Sequence, residues 1–426
     1  MPSNSMIQLI ELAPKGSQKI DWTKQHMPVL NYLMDEYTKT RPFQDKNIVM
    51  RLHIEATTAY LAILLRDAGA NVTLVEADPL STQDDVAAAM CEECVDVMGY
   101  YGAAFNDHQK FQREALECKP HIVIDSGGIL TNLLHDECSH LVENFIGTSE
   151  ESTTGVKRLK NMRNSGVLKY PVVAVNSSLS KYLFENLHGT GQSVWASIMN
   201  TTNVVVAGKM VVVVGYGWCG KGIARKARAF GARVIICETD PLKLSEAVMD
   251  GFYVKPLIEA VAEADFIITA TGNKDIITKN HLKVIKNRVI LANAGHSNVE
   301  INKCDLEEYS VDSYEIAKNI LQYSFEDGRN VFLLGDGRIV NSAAGDGQPA
   351  EVMDISFAIH VMAVKHLIEN AGNEKGIIKL PRELDEYVSS IYLKKSGIIK
   401  DELTDAQQKY FSMFPQVPCL MRTNEK

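Results

Sequence analysis

The residues best suited to chemistry lie at Gly215-Tyr-Gly217-Trp-Cys-Gly220, where an apolar run (211–214) enters a helix-like stretch (221–230). Strand, glycine turn and helix in that order can cradle a dinucleotide pyrophosphate. Gly215 permits the tight turn, Gly217 lets the backbone approach the phosphates, and Gly220 lets the helix pack close with its N-terminus facing them. Glu238 closes the next apolar run and can accept hydrogen bonds from ribose hydroxyls. A carboxylate there repels a 2′-phosphate, which favours NAD over NADP. A glycine-rich turn without a ligand would have no use for the acid at that spacing.

Other polar groups are more ambiguous alone. Lys181 and Glu185 are four residues apart, so on a helix they form either an ordinary surface ion pair or an acid–base couple. Cys91-Glu-Glu-Cys94 sits in an alanine-rich, helix-like stretch with no second Cys or His pair at ligand spacing. Two thiols in a helix, rather than a metal site, is the reading it supports, and no metal is expected.

The pattern around these residues is α/β. Strands are expected at 47–52, 71–76 and 121–125 and helices at 57–68 and 84–94, which predicts a parallel sheet with helices on both faces. A second series opens near 209 and runs to about 341, with strands at 210–214, 233–237, 266–271 and 288–292. The fold class is therefore two doubly wound parallel-sheet domains, one a Rossmann NAD-binding domain, plus a short C-terminal segment. The expected division is residues 1–185 for a substrate-binding domain completed by about 348–395, 190–345 for the NAD-binding domain, and 396–426 for a tail in which Pro415 and Pro418 end any helix. An apolar stretch at helical spacing, 352–367, can return to the first domain.

A chain of 426 residues with 46% hydrophobic content exceeds what one core organises, consistent with two domains. Its net charge of -9, without a basic cluster, argues against nucleic acid. No signal-peptide pattern and no apolar stretch of membrane-spanning length appear, so a cytoplasmic protein with reduced thiols is expected.

Several segments together resemble the S-adenosylhomocysteine hydrolase family: Leu52-His53, Ser81-Thr-Gln-Asp84, Gly127-Gly128, Glu150-Glu-Ser-Thr-Thr-Gly155, Lys181, Asn186-Leu-His-Gly189, the glycine turn, Asn293-Ala-Gly-His296 and Gly337-Arg-Ile-Val-Asn341. The resemblance implies a place in one-carbon metabolism and a tightly held NAD that oxidises a nucleoside at C3′. The ketone then permits loss of the 5′-substituent, addition of water and re-reduction. It assigns sugar binding to Glu151 and Lys181, with Lys181 also taking the 3′-hydroxyl proton, for which a pKa lowered by burial is expected. Glu185 stands at the family's aspartate, and Asp125, which matches the first acid of its acidic glycine turn, is expected among the catalytic groups. His53 and His296 fall beside the 5′ position. Ser152, Thr153, Thr154, Asn186 and Asn341 fall at the nicotinamide end. His26, His108, His140, His281 and His366 match nothing and read as surface or packing residues, as do Trp218 and Cys219.

The departures cluster. The base-reading Glu or Gln of the family is Thr57, with Glu55 two residues away, and the family's gating histidine is Gln348. Its second aspartate near the reacting carbons is Ser126, its cysteine after the hinge is Thr190, and its terminal arm has no counterpart in residues 419–426. Three readings follow: a hydrolase of S-adenosylhomocysteine, the same redox–elimination chemistry on another nucleoside, or a silent NAD-binding regulator. Small-molecule nucleoside substrates and a homo-oligomer, dimer or tetramer, are expected.

Overall fold

The computed structural model describes residues 4–412. The first sheet comprises β1 (Asn47–Leu52), β2 (Asn71–Glu76), β3 (Asp96–Met98), β4 (Ile122–Asp125), β5 (Gly147–Glu150) and β6 (Val172–Val173). The second comprises β7 (Met210–Val214), β8 (Arg233–Cys237), β9 (Tyr253–Val254), β10 (Phe266–Thr269), β11 (Val289–Asn293), β12 (Ser310–Ala317), β13 (Ile320–Phe325) and β14 (Asn330–Leu334). A late strand, β15 (Ile377–Ile378), returns to the edge of the first sheet beside β6.

The first sheet is parallel throughout, in the order β15-β6-β5-β4-β1-β2-β3. Strand order reverses between β1 and β4, and a doubly wound sheet opens its ligand crevice at such a point, beyond the carboxyl ends of the strands. The loops after β1 and β4 carry His53 and Ser126. In the second sheet, ordered β12-β13-β14-β11-β10-β7-β8-β9, the reversal falls at β7, whose end is Gly215. β7 is an almost unbroken valine run because both its faces are covered by helices, as parallel sheets require.

Two features go beyond the expected parallel pattern. β12 and β13 form an antiparallel hairpin through Lys318-Asn319, with Asn319 at φ 64°, and extend the second sheet at an edge. β12 is largely exposed, and Asp312 and Glu315 discourage pairing with another strand there. The helix Asp84–Glu92 ends before Cys94, so Cys91 is buried while Cys94 is exposed at positive φ. The expectation of two thiols in one helix is corrected accordingly. Residues 413–426, with the Pro415/Pro418 segment and the region expected to lack the family's arm, lie outside the described residues.

The chain crosses from one sheet to the other at residues 181–202 and back before helix Ala350–Glu369. That helix is apolar on most of its circumference and buried in the core of the first sheet. Its Asp354 carboxylate accepts the N–H groups of Val29 and Leu30, each at 2.7 Å, at the start of helix Pro28–Thr40. Two buried donors thus depend on one distant acid. Asp354→Ala is expected to cost about 2–4 kcal/mol in urea unfolding monitored by circular dichroism. An unchanged midpoint would contradict this tie between the returning helix and the first sheet.

Candidate active site

A cavity of about 1290 Å³ lies between the carboxyl ends of the two sheets. Its cofactor half is built by the β7 turn. Gly215 has φ 98° and lies where a Cβ would meet the Ala270 carbonyl at 2.7 Å. A Cβ on Gly217 would meet nothing within 4 Å, which leaves its backbone open to a close ligand, whereas one on Gly220 would fall 1.9 Å from the Gly215 carbonyl. Helix Trp218–Ala229 begins there, so its unpaired N–H groups face the cavity. Glu238, beyond β8, accepts from the Tyr216, Thr239 and Asp240 N–H groups at 2.7–3.0 Å. Burial would raise its pKa, but these donors and Lys243 outweigh that and hold it ionised below the ordinary value. At the cavity's other wall, Ser152 caps helix Thr153–Asn164 by accepting from Gly155 N at 2.9 Å. Thr153 reaches Asn176 at 3.3 Å, and Thr154 faces Gly272 of the second sheet. Among the described residues the Asn341 Oδ1 has no hydrogen-bond partner, and as part of the cavity lining it can accept from a ligand. Turn, acid and open acceptor fit a dinucleotide.

The linker segment Lys181–Gly189 is wound as a π-helix. In a winding closed by i→i+5 bonds, residues four and five positions on both come round to the first. Lys181 Nζ accordingly lies 2.7 Å from Glu185 Oε1 and 2.9 Å from Asn186 Oδ1. Ser356, on the returning helix, donates to the other Glu185 oxygen. Lys181 is 5% and Glu185 6% exposed, so the pair is no surface ion pair. The expected lowering of the Lys181 pKa does not occur. Burial does push it down, but Glu185 and Glu151 push harder and hold the ammonium above its ordinary value. Glu151 itself is raised to about 7, by burial and by Glu185, against the pull of Lys181 and of the Ser126 hydroxyl.

At the opposite wall, His53 Nδ1 lies 2.6 Å from Ser81 Oγ, while that hydroxyl donates to the Asp78 carbonyl at 2.8 Å. Ser81 must therefore accept from His53, which fixes the proton on Nδ1 and leaves Nε2 with its lone pair. Burial, with Arg51 nearby, lowers the His53 pKa despite Asp78. His296 falls to about 3, through burial and the neighbouring Arg51, His53 and Arg158. Both rings are neutral. Arg51, a residue of β1 that sequence reasoning passed over, is buried and donates to the Ser126 and Ala77 carbonyls. Its position inside an apolar strand was the available signal.

At the third corner, Glu55 is buried with Oε1 unpartnered, and burial raises its pKa to about 8 against the help of Ser342. Thr57 lies two residues on, in the first turn of helix Ala56–Asp67. Gln348 donates to Thr190 Oγ1 at 3.0 Å and accepts from Ser193 at 3.3 Å. Of the residues given a catalytic, substrate- or cofactor-binding role from the sequence, only Asp125 and Gly220 stand behind the wall. Asp125 is fully buried, bound to Thr131 N and Oγ1 at 3.0 Å, and so is set apart from the reacting groups the resemblance gave it. Trp218 and Cys219, read as packing residues, line the cavity, and Trp218 stacks on Tyr182 with ring centroids 5.6 Å apart.

Residues 4–142 match the family model described as S-adenosyl-L-homocysteine hydrolase, and residues 186–347 match the NAD binding domain of the same family. The chain is 48% identical to the adenosylhomocysteinase of Thermococcus kodakarensis, over 94% of this chain and 96% of that one. It is 47% identical to the adenosylhomocysteinase of Pyrococcus abyssi (96% and 97% covered) and 44% identical to the S-inosyl-L-homocysteine hydrolase of Methanopyrus kandleri (95% and 96%).

The glycine geometry yields a direct test. Gly220→Ala would force the helix off the Gly215 turn and is expected to lower NAD occupancy by about tenfold or more, a change of about 1.4 kcal/mol. NAD released on heat denaturation and assayed enzymatically measures it, and full retention would contradict the role given to the turn.

Proposed function

The chain belongs to the S-adenosyl-L-homocysteine hydrolase family, NAD-dependent hydrolases, and we propose that it cleaves a homocysteine thioether of a purine nucleoside. The observation that carries this reading is the buried Lys181, clasped by Glu185 and Asn186 near Glu151, within a cavity that also holds a dinucleotide turn.

When bound, NAD supplies a reversible hydride acceptor, so C3′ of the sugar can stand as a ketone. The protein's residues manage protons and position. Glu151 accepts the sugar hydroxyls. The Lys181–Glu185 pair takes up the 3′-hydroxyl proton, and the ammonium stabilises the negative oxygen that forms. A 3′-ketone acidifies the C4′ proton, whose transfer to the free Nε2 of His53 expels the 5′-thiolate, and water then adds at C5′ as a proton returns to C4′. His53, with Nε2 free, and neutral His296 exchange protons with the leaving sulfur and the incoming water. Ser126 is too weak a base to take the C4′ proton, and its hydroxyl supports Glu151 instead.

The nicotinamide end is assigned to Ser152, Thr153, Thr154, Asn186 and Asn341, and the adenosine end of NAD to Glu238 and the glycine turn. We take residues 1–185 with 348–395 as the substrate-binding unit and 190–345 as the NAD-binding unit. A cytoplasmic homo-oligomer acting in one-carbon metabolism fits the family and the free thiols.

Base recognition falls to Glu55, with Thr57 and Gln348 beside it. A neutral carboxyl offers a donor and an acceptor side by side. That pair matches the amino and N1 edge of adenine and equally, with roles exchanged, the oxo and N1–H edge of hypoxanthine. Both adenosyl and inosyl substrates are thus accommodated, in line with the names of the relatives.

Incubating the holoenzyme with S-adenosyl- or S-inosylhomocysteine and a thiol reagent is expected to release homocysteine from both. No release from either would reject the reading. Lys181→Met should lower kcat by about 10³-fold or more while NAD stays bound, as befits loss of charge stabilisation and proton transfer. The folded Glu55 titrates above the normal range, so its neutral, base-binding form prevails below pH 8 and is lost as pH rises through about 8. KM is therefore expected to climb above that pH in the native enzyme and to stay level in Glu55→Gln. A parallel climb in the variant would contradict the assignment.

A further inference from the structure

Glu150 ends β5 one residue before Glu151, fully buried and outside the cavity wall. Its carboxylate collects four donors from two different loops. Oε1 accepts from Gly127 N at 2.9 Å, Ser152 N at 2.8 Å and Ser152 Oγ at 2.7 Å, and Oε2 accepts from Gly128 N at 2.9 Å. Space for it is reserved, because a Cβ on Gly155 would lie 2.1 Å from Oε1.

The two loops it joins serve opposite ends of the cavity. The turn at 126–128 follows β4, with Gly127 and Gly128 at φ 96° and 66°. It presses against the 5′ end, where a Cβ on Gly127 would stand 2.8 Å from His296 Nε2. The loop at 151–154 follows β5 and carries Glu151 and the helix start at the cofactor end. The Ser126 hydroxyl also reaches Glu151, and Arg158 donates to the Gly127 carbonyl, but Glu150 takes backbone N–H groups from both loops at once. Burial and Asp125 raise its pKa to about 8 against the pull of Gly127 and Ser152, but four donors leave no acceptor for a carboxyl proton, so this geometry calls for a carboxylate that accepts through both oxygens. An amide would turn a donor toward at least one N–H.

Resting on the functional reading above, we propose that Glu150 is a positioning residue that sets the separation between the 5′-end turn at 126–128 and the sugar- and cofactor-binding loop at 151–154. It touches no reacting atom. It decides whether His296 and Glu151 can meet one bound nucleoside at the same time.

The test compares holoenzyme E150Q and E150D with the wild type. E150D keeps the carboxyl group but is too short to span both loops, and it carries the test if E150Q does not fold. Both are expected to retain NAD and to lower kcat by about 100-fold, the scale of a misplacement near 1 Å, with KM within about threefold. Amide hydrogen exchange, read without substrate, should show protection lost together at Gly127, Gly128 and Ser152. A kcat per NAD-loaded site equal to wild type would overturn the proposal, as would protection unchanged at either loop. If wild type hydrolyses neither thioether, the functional reading fails, and the exchange measurement alone still decides whether Glu150 joins the loops.

Discussion

An ammonium withdrawn from water must be met by negative charge at close range, and Lys181 imposes that condition on much of the molecule. Its partners come from separate parts of the chain. Glu185 and Asn186 come from its own linker, Glu151 from the end of β5, and the hydroxyl that holds Glu185 from Ser356 on the returning helix. The linker is π-helical where ordinary α winding would bring only one of the two linker partners round well. The return of residues 350–369 to the first sheet, fixed by Asp354 at the start of helix 28–40, delivers Ser356. The fold and the charge cluster therefore depend on each other.

Around that cluster the cavity is graded. The sugar end is rich in charge and internally partnered, with carboxylates and ammonium balancing one another. The proposed 5′ end is cationic behind the wall, where burial, helped by Arg51, lowers the pKa of both histidines. At the proposed base and nicotinamide ends, Glu55 Oε1 and Asn341 Oδ1 are buried with no partner among the described residues. Unpaired buried acceptors are expensive, so they belong where a ligand completes them. The same site can thus hold a polar ligand firmly at both ends while keeping its proton-transfer groups in complementary states in the middle.

Much of this was readable in the sequence. β1, β2, β7 and β8 lie where the apolar runs placed them, because strands buried on both faces leave unbroken hydrophobic stretches. The glycine turn and Glu238 were readable because each glycine answers a specific backbone need. The β12–β13 hairpin was missed because its mixed, exposed strands carry no core pattern. The π-helix at Lys181 was missed because nothing in local composition distinguishes it from α winding. The direction of the Lys181 shift came out reversed, since the resemblance set Glu151 and Glu185 near it but not at a distance, such as the 2.7 Å to Glu185, at which they outweigh burial. Arg51, Ser81 and Ser356 act through neighbours distant in sequence, and Asp125, placed by resemblance, turns inward to Thr131 instead.

The central claim is that the sugar is oxidised at C3′ beside Lys181 so that the 5′-thioether can leave by elimination. Hydrolysis in heavy water, followed by mass spectrometry and NMR of the nucleoside product, tests it most directly. Elimination removes the C4′ proton and addition of water restores one from solvent, so the product should carry deuterium at C4′. A product formed at full rate with its original C4′ hydrogen would mean direct displacement at C5′, and the account would be wrong.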